Sequence, residues 1–108
     1  MTELFFREIR FFYQKITRGF SGKDLWDLRT GIAEFILPRL IEFRDITASH
    51  PPTISMHEWG IILSEMVIAF ELIKKHNGDN SVVIPDNDYR KIERGLRLFS
   101  EYYLDLWI

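Results

Sequence analysis

Arg90, Arg94 and Arg97 stand at i, i+4 and i+7, a spacing that sets three guanidiniums along one side of a helix over about 10 Å at 1.5 Å per residue. Guanidinium groups hold phosphate through paired, charge-assisted hydrogen bonds, so such a stripe offers capture of a phosphate or two. Glu93 and Glu101 lie near enough in sequence to neutralise part of it, and an ordinary solvated face with internal ion pairs is the competing reading. A second cationic feature is Arg18-Gly19-Phe20-Ser21-Gly22-Lys23. Here a hydroxyl, backbone amides at the start of a helix and two flanking cations coincide, a combination that attracts anions. A plain glycine turn with a serine cap accounts for the same residues. The candidate ligand-binding residues are therefore Arg18, Ser21, Lys23, Arg90, Arg94 and Arg97.

Other chemistries find less support. His50, His57 and His76 are never at i, i+4 spacing with one another, and His57-Glu58 lacks the second histidine of an H-E-x-x-H helix. The E-x-x-H pairs of a di-iron bundle are also missing, so no metal is expected. Without cysteine there is no thiol nucleophile, disulfide or thiolate-bound zinc. No serine lies in a G-x-S-x-G turn, and residues 19–23 have neither the spacing of a phosphate-binding P-loop nor a strand before them. Asp24 with Asp27 and Glu42 with Asp45 read as solvated helix surface, not as general acid and base. The expectation is a protein that is not an enzyme and carries no cofactor.

The elements that must position these residues follow from length and pattern. A chain of 108 residues accommodates one domain, and at 46% hydrophobic and 15% aromatic it has the apolar surface to fold. Charged residues at 3, 7, 8 and 10 interrupt any export signal at the start. The most apolar stretch, residues 59–73, is shorter than the ~20 residues of a membrane span and holds Glu65 and Glu71. A soluble, cytoplasmic protein is expected, with no membrane partner. Residues 1–23 balance at +3, leaving −5 for the rest of a chain at −2, too little positive charge for an extended nucleic-acid surface.

Punctuation at residues 18–23, 47–55 and 77–87 divides the chain into four helical segments. Residues 3–17 carry Phe5, Ile9, Phe12 and Ile16 at helical steps, widened by further aromatics. The second segment opens at Ser21 with Asp24 as its capping partner, keeps Leu25, Leu28, Ile32, Ile36, Leu40 and Phe43 in one phase to Ile46, and is expected to bend at Pro38. The third opens on the S-x-x-E box of Ser55 and Glu58 and carries Trp59, Ile62, Met66, Phe70 and Ile73. The fourth begins after Pro85 with Tyr89, Ile92, Leu96, Phe99 and Tyr103, and reads as helical to Trp107 and Ile108, while residues 82–84 read as loop anchored in the core. The expected architecture is all-α, a single compact bundle of about four helices.

The residues Arg18-Gly19-Phe20-Ser21, Asp24 and Trp26, then a proline-containing loop before Glu58-Trp59, Leu63 and Met66, follow the pattern R-G-[WF]-S-x-x-D-x-W … E-W-x-x-x-L-x-x-M. Over residues 18–70 this resembles a family of small accessory proteins encoded by tailed phages. The resemblance implies a phage or prophage origin and an accessory role, and it carries no chemistry with it. Two functions are compatible with these features. One is a binding protein that sequesters or blocks a host molecule, either a host protein or an anionic nucleotide signal. The other is a structural or assembly protein of the phage particle. The aromatic surplus implies a homo-oligomer in both cases.

Overall fold

The computed structural model describes Arg10, residues 27–76 and residues 83–108. Its elements, in chain order, are α1 (Leu28–Ile46), α2 (Met56–Lys75), α3 (Asp86–Glu101) and a single 3₁₀ turn (Tyr103–Asp105). There is no strand among the described residues, and no described helix is long and apolar enough to cross a membrane. The helix expected over residues 3–17 lies outside them.

Helix α1 is capped at Asp27, and the expected cap of Ser21 with Asp24 lies outside the described residues. Asp27 leaves the helical region at φ −136°, ψ 79°, and its carboxylate accepts from the Thr30 amide at 3.3 Å and from the Thr30 hydroxyl at 2.7 Å. A carboxylate makes a strong cap in this position, and here it binds two donors at once. These bonds, ahead of the Arg29 guanidinium 3.7 Å away, hold the Asp27 carboxyl below the usual carboxylate range. At the other end α1 stops at Ile46 as expected, and it continues for two turns past the exposed Pro38.

The buried face of α1 is only partly the expected one. Ala33, Leu37 and Leu40 enter the core, with Ile36, Ile41 and Phe43 at its margin, whereas Leu28, Ile32 and Phe35 stay exposed. The first half of α1 is apolar on several sides, so periodicity alone does not select the buried one. Arg39 covers part of the exposed strip: its guanidinium lies 3.8 Å over the Phe35 ring and donates to the Phe35 carbonyl at 2.8 Å.

The connection from α1 to α2 is held at both ends. Thr47 is buried, its hydroxyl bonded to the Ser49 carbonyl at 3.2 Å, and the Ile54 amide closes a turn on the Pro51 carbonyl. The Ser55 hydroxyl accepts from the Glu58 amide at 3.1 Å and caps α2, as its sequence box predicts. Helix α2 is the central element, packing on α1 and on α3. It buries Trp59, Leu63, Met66, Val67, Ala69, Phe70 and Ile73. Its last turn carries Lys74 and Lys75, favourable at the negative end of the helix dipole.

Helix α3 begins after Pro85, whose ring presets the turn into the helix without any side-chain cap. Of residues 83–84 only Ile84 reaches the core margin, while Val83 is exposed. The predicted stripe on α3 is partly displaced: Ile92 and Gly95 are buried, Phe99 and Tyr102 pack at the core margin, and Tyr89, Leu96 and Tyr103 are exposed. The α-helix ends at Glu101 and does not reach Trp107 and Ile108, because at Tyr102 the chain tightens into the 3₁₀ turn. Aromatic rings tie this end to α2, with Trp59 edge-on to Tyr102 at 5.5 Å and Phe70 edge-on to Phe99 at 5.3 Å.

One polar link joins the end of α2 to the start of α3. His76 Nε2 lies 3.1 Å from Asp88 Oδ2, both side chains largely shielded, with Lys75 Nζ 3.9 Å from the same oxygen. The hydrogen bond from His76 first, then the charge of Lys75, depress the Asp88 carboxyl below its usual value of 3.8. In the window just under that value the folded state holds fewer protons than the unfolded chain, so stability rises with pH there and is fully present above it. Urea titrations from pH 7 downward should therefore show the midpoint falling below about pH 4. Asp88→Asn should flatten part of that fall, leaving the share that belongs to Asp27.

Candidate anion-binding site

Arg90, Arg94 and Arg97 lie on the exposed side of α3 and, with Glu93, line one shallow depression of about 250 Å³. Three of the six expected site residues are thus brought together by the 3.6-residue period of a single helix. Arg18, Ser21 and Lys23 lie outside the described residues.

The three guanidiniums are not equivalent. Arg94 Nε donates to Glu65 Oε2 on α2 at 3.0 Å, an ion pair that crosses between helices. Arg90 and Arg97, above and below it, make no ion pair among the described residues. The pair anchors the middle of the stripe and leaves cations at its two ends, roughly 10 Å apart along the axis. An anion with two charged groups spans that distance better than a single small ion does. Glu93 tempers the field, so the depression is mildly and not strongly cationic.

Glu65 is the residue that sequence spacing misses, since it stands 29 positions before Arg94. Its placement depends on how closely α2 and α3 approach. They approach tightly at Gly95, where an added Cβ would lie 2.6 Å from the Glu65 carbonyl oxygen. A glycine inside an otherwise amphipathic helix is the sequence signal for such an approach.

A second, larger concavity of about 650 Å³ is lined by Arg44 and Asp45 of α1 and by Met56, Gly60, Ile61, Glu65 and Ile68 of α2, so that Glu65 borders both depressions. Among the described residues no three His, Asp or Glu side chains gather as metal ligands would. Compared with known proteins, the chain matches no family model, no curated protein and no solved structure.

Proposed function

We propose that this chain is a non-enzymatic binding protein of phage type that acts by occupying an anionic nucleotide signal of the host cytoplasm. The observation that carries the reading is the stripe on α3: among the described residues Arg90 and Arg97 make no ion pair, and they stand on either side of the Arg94–Glu65 pair over one depression. Guanidiniums so placed match the separated phosphates of a nucleotide. The reading takes the described helices as the larger part of a bundle of about four, with α1 bent at Pro38. Arg18, Ser21 and Lys23 belong to the same proposal as further anion ligands.

Thermal-shift measurements against linear and cyclic nucleotides test it. A ligand at about 100 times its dissociation constant stabilises the folded state by about 2.7 kcal/mol, a shift on the order of 10 °C for a chain of this size. The expected result is such a shift for at least one nucleotide, lost in Arg90→Ala/Arg97→Ala. Absence of stabilisation by every nucleotide overturns the reading.

A second reading, an assembly protein acting through self-association, is favoured by the exposed Leu28, Ile32 and Phe35 on α1 and by the open apolar face of α2. It predicts defined oligomers whose mass does not depend on any nucleotide.

A further inference from the structure

We infer that Glu65 is the specificity-determining residue of the anion site proposed on α3. By holding Arg94 it leaves the two ends of the stripe, Arg90 and Arg97, to bind, and so selects a nucleotide whose phosphates stand at separate positions over one that carries a single phosphate. The selection rests on that reading of the stripe and names the ligand the stripe takes.

Within α3, helical spacing offers Glu93 as a partner to Arg90 and Arg97, and Glu101 as a partner to Arg97. Among the described residues neither carboxylate forms an ion pair. The stripe is instead paired from the neighbouring helix, Arg94 Nε donating to Glu65 Oε2 at 3.0 Å. The backbone of Glu65 is set for this contact, because its carbonyl oxygen lies at the tight approach of α2 to Gly95, 2.6 Å from where an added Cβ would stand. Its side chain is also the more shielded of the two, 28% exposed against 56% for Arg94. A carboxylate so placed neutralises the middle of the stripe and not its ends.

One phosphate bridges two guanidiniums most readily when they are helical neighbours with Cβ atoms about 5–6 Å apart, as Arg90 and Arg94 or Arg94 and Arg97 are. Both of those bridges need Arg94, and beside Arg94 a phosphate also meets the Glu65 carboxylate. Arg90 and Arg97 stand about 10 Å apart along the axis. A single phosphate reaches both only by drawing two long side chains inward over the Arg94–Glu65 pair, at a cost in their rotamer freedom. A nucleoside 3′,5′-bisphosphate has a phosphate on either side of its ribose. It puts one anionic group toward each free end and none at the middle, where Glu65 stands.

Calorimetric titration of the full chain at low salt, with a nucleoside 5′-monophosphate and with the 3′,5′-bisphosphate of the same nucleoside, tests this. Wild type should bind the bisphosphate, and the monophosphate about tenfold more weakly or worse, the difference of one charge-assisted contact. Glu65→Gln removes the carboxylate charge and frees Arg94. It should strengthen monophosphate binding about tenfold and bisphosphate binding by about threefold at most. Adding Arg94→Ala to Glu65→Gln should return the monophosphate to its wild-type affinity. The variants should keep the helical circular dichroism of wild type, since neither side chain belongs to the core. A general change of field has the opposite order, because the bisphosphate carries about twice the charge and would gain more. Equal gains, or a larger gain for the bisphosphate, overturn the role of Glu65 and leave the anion site standing. So does a monophosphate gain that survives Arg94→Ala, or a wild type that binds the two ligands equally. Binding of neither ligand by wild type overturns the anion site and the selection with it.

Discussion

Gly95→Ala is expected to destabilise the fold by about 2 kcal/mol, although alanine is the better helix former by about 1 kcal/mol. The added methyl would stand 2.3 Å from the Ala69 Cβ and 2.6 Å from the Glu65 carbonyl oxygen. Neither neighbour can turn aside, since one is a Cβ fixed to its backbone and the other is backbone itself. Relief requires α2 and α3 to separate, which loosens the contacts of Ile92, Leu98 and Phe99 with the core together. Larger residues cost more, and Gly95→Val should leave little folded protein. The same separation carries Glu65 away from Arg94, so the variant should also lose the cross-helix ion pair. Urea denaturation gives the stability, and a Gly95→Ala protein as stable as wild type would contradict the close approach of the two helices.

Trp59→Ala is expected to cost about 4 kcal/mol, the range for emptying a large aromatic site. Trp59 is 1% exposed and sits where α2 meets the chain around Tyr102, so nothing nearby can collapse into the space without moving that end. Trp59→Phe is expected to cost far less, about 1 kcal/mol. The indole Nε1 is buried with no acceptor among the described residues, and an unsatisfied buried donor carries a penalty that phenylalanine removes. The smaller ring loses packing but also loses that penalty. Equal losses for the two variants, measured by the same urea titrations, would show that the indole nitrogen has a partner.

What the sequence makes legible follows the range of each signal. Local signals hold: the Ser55 box starts α2, Pro85 precedes α3, and the stripe from Trp59 to Ile73 is buried nearly whole. Helix α1 is capped at Asp27, where a carboxylate bonded twice to Thr30 makes a stop that spacing does not disclose. The faces of α1 and α3 are only partly legible, since each helix offers apolar residues on more than one side and the partner helix decides. Gly95 shows this most clearly: a residue without a side chain contributes nothing to a hydrophobic pattern, yet it permits the close approach of α2 and α3.

The same division holds for the site. The three arginines share one face because a single helix carries them, which spacing alone establishes. Glu65 and the α2 groove depend on contacts between segments far apart in the chain, and only the folded arrangement brings them into view. The open Gly60 and the crowded Gly95 look alike in the sequence and differ entirely in what surrounds them.

The central claim, that Arg90 and Arg97 capture a phosphate-bearing ligand, is tested most directly by calorimetric titration of the protein with a nucleoside triphosphate at two salt concentrations. The account predicts saturable binding that weakens as salt rises, because exposed charges are screened over roughly 10 Å at 0.1 M salt. It also predicts that binding disappears in Arg90→Ala/Arg97→Ala while the helical content stays unchanged. Binding of equal strength in wild type and double variant, or no binding to wild type at low salt, would contradict it.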